Sequence, residues 1–214
     1  MNRCVMIRMG AGETAIETFD GDSYPYGISY GSWTARWWKW ALSTPGPINP
    51  VLDERGIYSK INQPLQDVWF LAGKFGDEKK IYPQRQVTIP KTKSILFPIL
   101  NCEANSLEYP NLKSSDDLIK HVLHDVDTVV KKQCYVDGKQ INPVRVRSDP
   151  PVFPLTIHED NGVGVKGGGF TYTASDGYWV FLKSLPLGLH IIDFEGSCEF
   201  GRLCSGAKYG VTII

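Results

Sequence analysis

The chain has 214 residues, 42% of them hydrophobic and 12% aromatic, enough to bury one large core and too apolar for a disordered chain. Twenty-three basic residues balance twenty-three acidic ones, which removes the electrostatic footprint of a general nucleic-acid binder. No apolar run approaches the roughly 18 residues of a membrane helix. Arg3 and Arg8 interrupt the short hydrophobic start, so the expectation is cytoplasmic synthesis without a signal peptide and with no membrane span.

In chain order, residues 1–30 read as an N-terminal arm and 31–214 as a single domain. The first strong element lies at 32–42, where four of the six tryptophans fall close together. Trp33, Trp37 and Trp40 recur at i, i+4 and i+7 and so share one helical face. Ser32 is the expected N-cap, and Pro45 and Pro47 end the helix. Such a face either packs on a sheet or stacks on a sugar or base, which makes Trp33, Arg36, Trp37, Trp38 and Trp40 candidate binding residues beside the packing alternative.

An irregular Pro/Gly-rich connection follows at 43–62. The apolar runs 68–72 and 94–100 are strands covered on both faces, and Pro98 demands a bulge or an edge. A second helix is expected over 114–132, opened by a Ser114/Asp117 capping box and closed by Lys131 and Lys132. Beyond it the pattern is β. A hairpin turns on Asp137-Gly138, and strands are expected at 144–147, 152–157, 169–173, 178–182, 189–194 and 209–214. Turn signals fall at Asn161-Gly162, Asp176-Gly177, 186–188 and Gly206, and residues 178–194 read as a strand, a tight loop and an antiparallel return. That rhythm predicts a mostly β fold: a single-domain antiparallel β-sandwich, jelly-roll or immunoglobulin-like, with two short helices packed on it.

The strings SWTARWWKWALSTPGPINPVLD (32–53), VWFLAG (68–73), SILFPILN (94–101) and DGYWVFLK (176–183) resemble a family of bacterial and archaeal hypothetical proteins, many of which look secreted. The resemblance implies a β-rich domain with an early aromatic helix and carries over no catalytic residue. Family members often hold cysteines where Ser59 and Val87 stand, and carry a signal peptide. Loss of both cysteines suits assembly in a reducing cytosol, as for a phage-borne relative assembled into a particle or one otherwise assembled inside the cell and released without secretion.

Five cysteines, Cys4, Cys102, Cys134, Cys198 and Cys204, make no disulfide framework, with buried thiols, a Cys198–Cys204 bridge and metal use as alternatives. His121 and His124, with Asp117 and Asp125, form either a metal-binding helix face or solvated surface charge. His158 and Glu159 enter a Gly-rich loop that is either a mobile tip or a binding loop. Cys102 with His190 as base is a weak nucleophile pairing, and Glu103, Glu108, Asp176 and Glu195 are carboxylates bordering strands.

These observations predict no cofactor, no resident metal and no assigned catalytic residue. The expected function is a non-enzymatic structural or binding module in a repeated assembly, of virion-decoration or glycan-binding type. Its partners would be copies of itself, a particle-forming protein or a glycan. The alternatives are a carbohydrate-active hydrolase or lyase using carboxylates at strand ends, and a metal-dependent β-sandwich enzyme using His158 or His190.

Overall fold

Burial of the aromatic helix against a sheet organises this molecule. The computed structural model describes residues 15–65, 67–76, 82–199 and 203–214. Helix α1, Tyr30–Ser43, buries Trp33, Trp37, Trp38 and Trp40. Its N-cap is Ser29, whose hydroxyl accepts from the Ser32 amide at 3.1 Å. Ser32, the expected cap, lies inside the helix and donates to the Asp149 carbonyl instead. The two serines are close enough in sequence to compete for the role, and Ser29 has the extended backbone that a cap needs.

Among the described residues the strands are, in chain order, β1 Val68–Phe70, β2 Lys74–Gly76, β3 Gln84–Ile89, β4 Ser94–Asn105, β5 Val129–Val136 and β6 Lys139–Gln140. They continue as β7 Val144–Arg145, β8 Val152–Ile157, β9 Gly169–Leu182, β10 Gly188–Cys198 and β11 Cys204–Ile213. One five-stranded sheet runs β1-β4-β9-β7, with β8 also on β9; a six-stranded sheet runs β2-β11-β10-β5-β6, with β3 also on β11. The two sheets close over a core that includes Phe97, Ile99 and Val180 from the first and Phe194, Tyr209 and Val211 from the second. The opposite face of the first sheet packs through Leu96, Trp179 and Phe181 on the indoles of α1. Each such buried side chain contributes about 1.5–3 kcal/mol, which makes this layer a large part of the stability.

The sandwich is not purely antiparallel. β1 runs parallel to β4, and β3 runs parallel to β11. Both are short strands delivered by long irregular connections, a geometry that hairpin patterning does not reveal. Pro98 sits at the register shift of β4, and β1 covers the other side of β4 only from Ser94 to Leu96. Past Leu96 that side of β4 carries no strand partner among the described residues.

Three further expectations give way. The second helix, α2, spans Ser115–Asp127, and its Ser114/Asp117 capping box forms. It stops five residues before the expected end, because β-branched Val129 and Val130 begin β5, where Val129 pairs with Cys198 of β10 and Val130 sits at the register shift. Asp176-Gly177 is no turn but mid-strand in β9, where a Cβ on Gly177 would lie 2.6 Å from Asn101 Cβ. Glycine is required there by close strand approach rather than by chain reversal. The loop 183–187 does not return antiparallel beside β9 but crosses to the second sheet, where β10 pairs with β5 and β11. The Asp137-Gly138 hairpin forms with positive φ at both residues, as a type I′ turn demands.

Residues 1–14 of the expected arm lie outside the described residues; its remainder is attached to the sandwich. Phe19 donates its amide to the Phe181 carbonyl, and its ring packs 4.9 Å from that of Phe181. The irregular segment after α1 is held by Arg85, 1% exposed, which donates to the carbonyls of Val51, Asp53 and Ala72 and to the Tyr209 hydroxyl. Cys102, Cys134, Cys198 and Cys204 are buried thiols; Cys4 lies outside the described residues. Among the described residues no helix is long and apolar enough to cross a membrane.

Candidate functional site

Three of the four indoles of α1 donate from their ring nitrogens to loop carbonyls. Trp33 donates to Pro25 O at 2.9 Å, Trp37 to Leu71 O at 2.8 Å and Trp40 to Ile61 O at 2.9 Å. Each ring is buried and fastens a different loop, so these side chains present no face to a ligand. Arg36 stacks with its guanidinium 4.9 Å from the Trp33 ring centre. Trp38, at 3% exposed, is as buried as the others but lines a cavity of about 670 Å³, within the roughly 300–1,000 Å³ range of small-molecule sites.

The cavity lies against the uncovered side of β4. Asn101 and Glu103 line it from the strand, Glu108 and Tyr109 from the turn that follows, and His124 and Asp125 from α2. Gly162 and Val163 close another side. They belong to a loop that Asn161 organises by donating to His158 O and Val165 O and by accepting from Val163 N and Val165 N. His158 and Glu159 start that loop but do not line the cavity; the His158 ring accepts from Asp160 N at 3.0 Å. The cavity wall thus takes Gly162 and Val163 from this loop.

Of the four strand-border carboxylates only two converge. Asp176 accepts from Arg145 at 2.8 and 2.9 Å, and Glu195 pairs with Lys131 at 2.5 Å. Glu103 and Glu108 meet in the cavity. The Asn105 side-chain amide reaches both Glu103 oxygens at 3.1 and 3.2 Å and Glu108 at 3.4 Å, and the Thr173 hydroxyl donates to Glu103 at 2.6 Å. Glu108 hydrogen-bonds to Glu103, and its carboxyl is pushed up to about 9, first by burial and then by the Glu103 carboxylate. Glu108 therefore keeps its proton at neutral pH. Glu103 collects the donated hydrogen bonds while Glu108 carries the proton. Tyr109 beside them is raised to about 12, again chiefly by burial.

Asn101 is the one polar residue of the cavity wall whose amide is left over. It is 1% exposed, and neither its Nδ2 nor its Oδ1 has a hydrogen-bond partner among the described residues. A buried amide left in this state costs roughly 1–3 kcal/mol, which sets it apart from the bonded polar groups around it.

The thiol pairing fails on geometry. Both ring nitrogens of His190 are taken, by Asp137 at 2.7 Å and Pro186 O at 2.9 Å. Burial, followed by the nearby acidic groups, drives the Cys102 thiol above its ordinary range, the opposite of what an activated nucleophile needs. The helix face of His121, His124 and the aspartates is likewise divided. Asp117 is committed to the cap, His121 lies 3.6 Å from Asp125, and His124 faces the cavity. Among the described residues no three His, Cys, Asp or Glu side chains gather to hold a metal ion.

In the sequence Glu103 and Glu108 stand as separate carboxylates, and Asn101 falls just past the apolar run 94–100. The signal that could have found the site is the polar alternation Asn101, Glu103, Asn105 on one side of β4 after a wholly apolar run. The chain matches no family model, no curated protein and no solved structure.

Proposed function

We propose that this protein is a binding module whose cavity takes a neutral, hydroxyl-rich ligand of saccharide class. The observation that carries the reading is Asn101, whose buried NH2 group and carbonyl oxygen are both unmatched among the described residues, at the wall of a ligand-sized cavity. A hydroxyl group both donates and accepts, and so satisfies both atoms. Trp38 and Tyr109 add aromatic surface, and the charge of the Glu103–Glu108 pair disfavours an anionic ligand. Of the expected forms of binding, this geometry favours a ligand held inside the domain over a flat contact made by the tryptophan face.

The test is titration calorimetry, with ligand-observed magnetic resonance, on a panel of neutral mono- and oligosaccharides. Binding by the full chain that disappears in Asn101→Leu supports the reading. Absence of binding across the panel at millimolar concentration, or binding that Asn101→Leu leaves intact, overturns it.

A further inference from the structure

We propose that the cavity also hydrolyses its ligand, with Glu108 as general acid and Glu103 as nucleophile at a glycosidic bond. This rests on the saccharide reading above and adds a reaction to it. The two carboxyl groups are unequal in the way such chemistry requires. Glu103 stands on β4 and is fixed in orientation by the Thr173 hydroxyl at 2.6 Å and by the Asn105 amide at 3.1 and 3.2 Å. An attacking carboxylate held by its supporting hydrogen bonds loses little freedom on reaching the transition state. Glu108 is carried on the turn after β4, where the Asn105 Oδ1 accepts from the amides of Leu107 and Glu108, both at 3.0 Å. Its side chain stays half-buried at the cavity, and it holds the proton of the pair. Environments that separate two adjacent carboxyl groups in this manner assign the acid and the base.

Separation chooses the stereochemistry. A pair that inverts configuration leaves room for a water at roughly 6.5–9.5 Å, while a double-displacement pair works at about 5–5.5 Å. Glu103 and Glu108 hydrogen-bond to each other and to one amide nitrogen, so they approach from the short side of both ranges. An outward swing of Glu108, as the glycosidic oxygen enters beside it, reaches the closer spacing first.

In the first step a Glu103 oxygen bonds to the anomeric carbon, the bond from that carbon to the leaving oxygen breaks, and the Glu108 proton passes to that oxygen. In the second, Glu108, now a carboxylate, takes a proton from water while the water oxygen displaces Glu103, which restores both groups. Asn101, two residues before Glu103 on the same side of β4, is placed to hold the hydroxyl next to the anomeric carbon. In this reaction it is a positioning residue.

The experiment uses the full chain with paired substrates of each common pyranose: 2,4-dinitrophenyl glycosides, whose leaving group needs no acid, and disaccharides, whose leaving group does. Glu103→Gln is expected to abolish both reactions. Glu108→Gln should slow disaccharide cleavage by roughly 100- to 10,000-fold and dinitrophenyl release far less. A 2-deoxy-2-fluoroglycosyl fluoride should add one sugar to Glu103, read by peptide mass. Melting curves of both glutamine variants establish that each is folded. Saccharide binding without turnover, inverted product, or rates indifferent to both substitutions overturns the catalytic assignment and leaves the binding reading standing. Failure to bind any saccharide overturns both.

Discussion

The two halves of β4 meet the same neighbouring strand and end in opposite conditions. Before the register shift at Pro98, Ile95, Leu96 and Phe97 are wholly buried between the α1 indoles and the second sheet, and the Trp33, Trp37 and Trp40 nitrogens are each bonded to a carbonyl. After it, Asn101 is buried with its amide unmatched, and Glu103 faces a second carboxyl group. The first half is built for stability and the second accepts instability. What separates them physically is the partner strand. β1 seals the first half, and its absence beyond Leu96 leaves room for the cavity.

The strongest way to break this comparison is to damage the sealed half. Trp37 is fully buried, with rings of Trp38, Trp40 and Trp179 centred 5.1, 5.9 and 5.5 Å away. Trp37→Ala should lower unfolding free energy by about 3–5 kcal/mol in urea titrations. A loss below 1 kcal/mol, on the order of a surface substitution, would mean that the aromatic layer is not the structural half.

The open half should respond to pH with a defined sign. Glu108 in the unfolded chain gives up its proton near the ordinary glutamate value of about 4.3, whereas in the folded chain it keeps it up to about 9. Between those values the native state binds the extra proton, so stability is highest on the acid side and is lost as pH rises through the folded value. The titratable groups facing it are Glu103 and Cys102 from β4, Tyr109 beside it, His124 and Asp125 from α2, and Cys198 and Glu199 at the end of β10. With solvent screening at the open side of the cavity, Glu108→Gln should gain about 1–2 kcal/mol on wild type between about pH 5 and about pH 9. Parallel stability profiles for the two proteins would remove the shared proton.

Much of the sealed half was legible because its signals are local. Indoles at helical spacing, the Ser114/Asp117 box, Asp137-Gly138 and Pro98 each act within a few residues. The parallel strands were hidden because β1 and β3 are three and six residues long and find partners far away in sequence. Gly177 misled because a glycine demanded by Asn101 across the ladder looks the same in sequence as one demanded by a turn. The site was harder still. Nothing in the spacing of Glu103 and Glu108 says that the intervening turn folds one carboxyl group onto the other, and whether an amide is satisfied is a property of its surroundings alone.

A smaller effect tests whether the indole hydrogen bonds matter beyond ring packing. Trp40→Phe keeps an aromatic ring beside Phe70 but removes the donor to Ile61 O. The expected loss is about 1 kcal/mol, and hydrogen exchange should quicken selectively in the irregular segment around Ile61. Uniform quickening across both sheets would show that Trp40 acts by packing rather than as a latch.

Asn101→Leu should change stability least and sharpen the comparison most. In the sealed half, removing a polar group strands its carbonyl partner; here no partner among the described residues is stranded. Replacing a buried amide that forms no bonds with an apolar side chain of similar size relieves a desolvation cost, so unfolding free energy should stay level or rise by about 1 kcal/mol. If the amide is unmatched because it waits for a ligand, the same variant loses saccharide binding while melting no earlier than wild type. If Asn101→Leu instead destabilises by 2 kcal/mol or more, on the scale of a broken buried network, the amide is bonded in the folded protein and the open half is as structural as the sealed one.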